Sequence, residues 1–323
     1  MQVAPRLIGL IVLVESALGC ERQPTPRKPV ASHSEARTVP PTRSPPATAV
    51  PPSPTPSASG QPAQLEELRA EVHLPSRLAA GQKVPLLLIL HSLGTSADDI
   101  AGRTDWPSFA ERQGVAWLAP NGSIDAQGRR FWDAGPSCCN FSGPPLDHVA
   151  ALRNLLEKTL ATSPIDPARV FIGGTSNGGF MAHRFACLAP DLIAGIVSVA
   201  GAGPLDEAPC KPATSLRVLE IHGEADPIVS YSGGHLFKDP QLPQHASVQK
   251  TVRDWAARLG CRDKPIEAPT IDLIAHLPGS ETRVTRFEAC PRGRVELWTV
   301  TAGGHYLAYR APAPEIIWRF LSQ

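Results

Sequence analysis

The chain has 323 residues, enough for one large domain or two small ones, with a net charge of +1 and 19% charged residues. Such a balance has neither a basic field nor an acidic tail, so nucleic acid is not an expected partner. Hydrophobic residues make up 42%, an ordinary globular share, but there are also 35 prolines, and these are unevenly placed.

Residues 7–14, Leu-Ile-Gly-Leu-Ile-Val-Leu-Val after Arg6, are too short to span a bilayer and fit the core of a signal peptide over 1–20. The run ends in Ser16-Ala17-Leu18-Gly19-Cys20. That segment resembles a bacterial lipoprotein cleavage box, with Cys20 as the lipidated residue, although the leucine falls one place late and Glu15 is an unusual charge near the cut. The expectation is export and anchoring at the cell envelope or surface, with contact to the membrane through the lipid only. Ordinary cleavage and secretion is the alternative. Residues 21–62 hold 12 prolines and no aromatic residue, which predicts a disordered, semi-extended tether.

Residues 63–323 read as one domain. Strands are predicted over 84–91, 115–119, 170–172, 193–199, 217–221 and 295–300. Helices are predicted over 105–113, 147–160, 180–188, 248–259 and 314–321. The alternation implies an α/β fold with a mostly parallel central sheet and helices on both faces. Sites in such sheets lie at the carboxyl ends of strands. Residues 231–245 and 262–289 carry no readable pattern.

Setting Cys20 aside, Cys138, Cys139, Cys187, Cys210, Cys261 and Cys290 form an even set, which in an exported chain argues for three disulfides. Cys138 and Cys139 are adjacent and are expected to bond to two different partners. With no Cys-x-x-Cys and no tight histidine cluster, a zinc site is not expected.

The chemistry-bearing motif is Gly174-Thr175-Ser176-Asn177-Gly178, directly after the apolar run Val170-Phe171-Ile172. A serine on a sharp strand-to-helix turn needs glycines on both sides, because a Cβ there meets crossing backbone. The turn also sets the Asn177 N–H at a helix N-terminus, where it can face a developing oxyanion. A serine nucleophile needs a base, and the base needs an acid to orient it. Asp226 follows the predicted strand 217–221, and His305 follows 295–300 after Gly303-Gly304, which would leave room for a mobile, exposed imidazole. The order Ser176, Asp226, His305 is that of the α/β-hydrolases. Glu224, Asp239 and Asp272 are rival acids. His91 and His222 read as structural, bonding nearby loop backbone, and His183 lies two helical turns past the serine. Phe131, Trp132 and Tyr306 could form an aromatic platform for substrate or belong to the core.

Several stretches together resemble the exported esterases known as polyhydroxybutyrate depolymerase-like proteins and feruloyl or acetylxylan esterases. They are Leu90-His91-Ser92-Leu93-Gly94, Phe131-Trp132-Asp133-Ala134-Gly135 with Cys138-Cys139, Ile165 through Val170, Gly174 through Met181, His222 through Pro227, and Gly303-Gly304-His305. The resemblance implies a Ser176–His305–Asp226 triad, an oxyanion hole completed by the backbone N–H of Leu93, and no metal or organic cofactor. It also implies a Cys261–Cys290 disulfide, leaving the other four cysteines for two bonds near the site. Ser92 stands where the family usually has glycine, so a positive φ there would strain the loop. Tyr306-Leu307-Ala308 replaces the family's tryptophan and proline after the histidine. The expected activity is hydrolysis of carboxylic esters, with a non-catalytic glycan- or polymer-binding surface lipoprotein on the same fold as the alternative.

Overall fold

A central sheet organises the chain, because its inner parallel strands are apolar on both faces and must be covered twice. The computed structural model describes residues 67–323 apart from 142, 206–209, 212–214 and 312. The signal segment, Cys20 and the tether expected over 21–62 lie outside these described residues.

In chain order the elements are β1 (Val84–Leu90), α1 (Ala97–Arg103), α2 (Trp106–Gln113), β2 (Ala116–Leu118), β3 (Ser123–Ile124), β4 (Arg130–Phe131) and α3 (His148–Thr162). There follow β5 (Ile165–Thr175), α4 (Asn177–Leu188), β6 (Gly195–Val199), β7 (Leu216–Gly223), β8 (Gly234–His235), β9 (Gln244–His245) and α5 (Val248–Leu259). The chain ends with β10 (Ile266–Ile271), β11 (Thr282–Phe287), β12 (Gly293–Val300) and α6 (Ala313–Ser322). An eight-stranded sheet runs β10-β11-β12-β7-β6-β5-β1-β2. All pairs from β12 to β2 are parallel, and β10 and β11 join antiparallel at one edge.

The fully buried β1 shows how the layers form. Leu86, Leu88 and Leu90 point into one core with Leu156 of α3, Phe185 of α4 and Trp255 of α5. Leu87 and Ile89 point into the other, with Ala110 of α2 and Phe320 of α6. Helix starts are set locally: Ser96 and Asp99 form a reciprocal capping box on α1, Asp147 caps α3 and Ser247 caps α5. Among the described residues no helix is long and apolar enough to cross a membrane.

The segment 262–289 contains β10 and β11. β10 is the edge strand and β11 lies next to it; both are partly exposed, and their mixed polarity gave no signal in the sequence.

The cysteines correct one expectation. Cys138 and Cys139 bond to each other, not to two different partners. Cys187, at the end of α4, bonds to Cys210, beside a hydrogen bond from the Lys211 N–H to the Cys187 carbonyl at 2.8 Å. Cys261, just past α5, bonds to Cys290 as the resemblance implied, which leaves the adjacent pair with itself.

Candidate active site

Ser176 sits alone between β5 and α4 with φ 54° and ψ −118°, a conformation costly for a residue with a side chain. The packing around it explains the two glycines. A Cβ on Gly174 would come within 2.3 Å of the Gly178 backbone, and one on Gly178 within 2.3 Å of the Leu90 carbonyl. The Ser176 N–H donates to the Val199 carbonyl at 2.7 Å, tying the turn to β6. Asn177 then opens α4, where first-turn N–H groups lack an intrahelical acceptor. Its buried side chain accepts from the Trp132 N–H at 2.7 Å and donates to the Trp132 carbonyl at 2.8 Å.

The second half of the site comes from two neighbouring strand ends. β7 and β12 pair in parallel up to Gly223 and Val300. Past that point the Ala225 N–H donates to the Gly303 carbonyl at 2.9 Å, which holds the two loops together. His305 Nδ1 lies 2.7 Å from Asp226 Oδ2. The other carboxylate oxygen, Oδ1, accepts from the N–H groups of Ile228 and Val229 at 2.8 and 2.9 Å. Burial by itself would raise the Asp226 pKa, but hydrogen bonds from His222 and His305 hold it far below the usual carboxylate range. The rival acids are engaged elsewhere: Glu224 with Arg283, Asp272 with Arg310, and Asp239 with the Gln241 N–H.

His305 is only 5% exposed, so the mobile, exposed imidazole expected from Gly303-Gly304 is not what forms. The glycines serve close packing. A Cβ on Gly223 would lie 2.3 Å from the carbonyl oxygens of both Gly303 and Gly304.

Ser176 and His305 line one cavity of about 90 Å³ together with Ser92, Leu93 and Tyr306. Its apolar wall is Phe180, Leu236 and the Cys138–Cys139 bridge. Tyr306 is 80% exposed at the rim, with its ring edge-on to His305. Trp132 is not part of this wall. Its ring is fully buried between His91 and His148, and its Nε1–H donates to the His91 carbonyl at 3.1 Å.

Ser92 carries no backbone strain, because the positive φ of this loop falls on Gly94 at 76°. The Ser92 hydroxyl donates to the Thr175 carbonyl at 3.1 Å, joining the first loop to the serine turn.

His91 bonds loop backbone on both ring nitrogens, as expected, and burial pulls its pKa down to about 4. His148, not singled out in the sequence, is equally buried and likewise lowered to about 4 by desolvation. His183 and His222 are joined through Glu220, a buried carboxylate that strand periodicity alone would place as core. Phe237 was missed as well. It is 50% exposed on the cavity rim with φ 55°, in a stretch with no sequence pattern.

The chain is similar to known proteins in both sequence and fold. The Phospholipase/Carboxylesterase family matches residues 146–252, a stretch that includes Ser176 and Asp226. NocK of Nocardia uniformis subsp. tsuyamanensis, which carries the assignment of an esterase, is 29% identical over 316 residues, 92% of this chain and 88% of that protein. Feruloyl esterase B of Piromyces equi is 26% identical over 239 residues, 72% of this chain but only 42% of that enzyme. Among solved structures, the acetyl xylan esterase from Aspergillus awamori superposes with a TM-score of 0.57 at 15% identity, covering 78% of this chain and 94% of its own. The sheet order and this superposition give the chain the α/β-hydrolase fold.

Proposed function

We propose that this chain, a carboxylic ester hydrolase of the α/β-hydrolase superfamily, acts as an exported serine esterase on feruloyl-type or short hydroxyalkanoate esters. The observation that carries the reading is the 2.7 Å bond from His305 Nδ1 to Asp226, with His305 lining the same cavity as the strained Ser176.

With Nδ1 committed to Asp226, Nε2 is the ring nitrogen available as base. It takes the Ser176 hydroxyl proton as the oxygen attacks the ester carbonyl, and then returns the proton to the leaving alcohol. The N–H groups of Asn177 and Leu93 hold the oxyanion; removing one such donor typically costs about a hundredfold in rate or more. Water then releases the acid from the acyl-enzyme by the same steps. The apolar wall of Phe180, Leu236 and the disulfide lowers the polarity around these hydrogen bonds, which strengthens them. Tyr306 and Phe237, exposed at the rim, are placed to contact the part of a large ester that stays outside. The lipid anchor at Cys20 and the tether over 21–62 extend this reading to the cell surface.

A fluorophosphonate probe tests the assignment on the full chain. Labelling that is lost in Ser176→Ala, together with loss of ester turnover and unchanged folding, is the expected result. No labelling of folded wild-type protein would make the chain a binder of glycan or polymer instead. Initial rates on methyl ferulate and on a 3-hydroxybutyrate oligomer then separate the two ester classes.

A further inference from the structure

Behind the Asp226–His305 bond lies a run of buried polar side chains that ester hydrolysis as described does not use. Trp255 of α5, His183 of α4, and Glu220 and His222 of β7 are all at most 4% exposed, and the run ends against Asp226. Trp255 Nε1 lies 3.0 Å from His183 Nδ1, and His183 Nε2 lies 2.9 Å from Glu220 Oε2. Glu220 Oε1 is 2.9 Å from His222 Nδ1. His222 Nε2 is 2.8 Å from the Val229 carbonyl and 3.4 Å from Asp226 Oδ2.

Donor and acceptor roles follow from the two ends. An indole N–H only donates, so His183 Nδ1 accepts and the proton of that neutral ring is on Nε2, aimed at Glu220. A backbone carbonyl only accepts, so His222 Nε2 carries a proton. Glu220 then faces one donor on Oε2, and His222 Nδ1 on Oε1. We propose that Glu220 and His222 form a buried carboxylate–imidazolium pair, and that the His222 cation is a positioning residue that fixes the Asp226 loop and offsets the charge His305 experiences. The inference rests on the serine-esterase reading.

Two further observations fit. Val229, whose carbonyl His222 holds, also donates its N–H to Asp226, so the clamp and the catalytic carboxylate share one turn. Although burial favours the neutral ring, the carboxylates of Asp226 and Glu220 raise the His222 pKa to about 9. The groups around the ring are His183 from α4, Glu220 from β7, Asp226 and Tyr231 from the segment after β7, His245 of β9, and His305 beyond Asp226. Only Glu220 and Asp226 among them are acids, and a cation between them leaves each partly balanced.

Glu220→Gln isolates the charge. A glutamine can accept from His183 Nε2 with its oxygen and donate to His222 Nδ1 with its amide. Every hydrogen bond then survives while His222 becomes neutral. Two readouts apply to the full chain. Ring ¹⁵N NMR at pH 7.5, on Ser176→Ala so that turnover is irrelevant, should show two protonated nitrogens for His222, and only one once Glu220→Gln is added. In the active enzyme, Glu220→Gln should leave KM unchanged and move the acid limb of the kcat/KM profile up by about half a pH unit or more, because Asp226 then acts on His305 without compensation. A merely structural role for Glu220 would lower activity without moving that limb. An unprotonated His222 nitrogen in the Ser176→Ala background overturns the proposal even if Glu220→Gln fails to fold, and so does an unmoved acid limb in a folded Glu220→Gln. The NMR result is independent of whether the chain hydrolyses esters, whereas absent fluorophosphonate labelling would reject only the esterase reading.

Discussion

Gly223 and Gly303, on neighbouring strand ends, are packed so closely that a Cβ on the first would lie 2.3 Å from the carbonyl oxygen of the second. That contact brings the loop after β12 onto the loop after β7 and so seats His305 against Asp226. Backbone meets backbone here, and no side chain can swing away to make room. Gly223→Ala should therefore separate the loops, cut kcat/KM by about a hundredfold or more, and destabilise the fold by about 1–3 kcal/mol. Parallel rate and denaturation measurements check both; a variant with wild-type rate would show that the loops can part without disturbing the pair.

Ser176 holds a backbone conformation that suits glycine better than serine. Ser176→Gly should abolish turnover and at the same time raise stability by about 1 kcal/mol, as the strain is relieved. Urea unfolding of the two proteins decides it. Equal or lower stability in the glycine variant would mean that the turn is not strained.

Asp226 is held below its ordinary pKa, so its stabilising contribution is complete above the unfolded value of about 3.9 and fades as pH falls below it. Wild type should therefore lose its stability advantage over Asp226→Asn between about pH 5 and pH 2. His222 is shifted the other way. Its contribution is complete below about pH 6.5 and disappears as pH rises to the folded value of about 9. Stability should therefore decline across that interval in wild type and stay flatter in Glu220→Gln. Thermal melts at a series of pH values measure both slopes.

Tyr306 and Phe237 flank the cavity mouth at 80% and 50% exposure. Truncating both to alanine should raise KM for a polymeric or aryl ester several-fold, with kcat on a small acetate ester nearly unchanged and little loss of stability. A matching loss on the small ester would place these rings in the chemical step instead.

How much of this was legible in the sequence depended on whether a signal was local. The Gly174–Gly178 motif, the apolar runs of β1 and β7 and the stripe of α3 are short-range patterns, and the strands, the serine turn and the approximate places of Asp226 and His305 followed from them. The edge strand β10 and its neighbour β11 are partly exposed and mixed in polarity, so their chain segment showed no periodicity. Adjacency in the chain argues for two different partners for Cys138 and Cys139, but the Cys187–Cys210 and Cys261–Cys290 bonds, which join residues brought together only by the fold, leave the two to each other. Trp132 could equally have been surface or core from its chemistry, and its hydrogen bonds to Asn177 and His91 placed it inside.

The sequence by itself determined the α/β order of elements and the residue types that ester hydrolysis requires, because hydrophobic period and glycine sterics act over a few residues. Only the tertiary structure decided the partners. Glu220 reads as one more position of a buried strand; His222, two residues on, shares its face, but the other carboxylate oxygen gains its partner only when α4 packs on the sheet and brings in His183. Contacts of that kind join residues tens of positions apart, and chain spacing carries no record of which buried polar groups will meet.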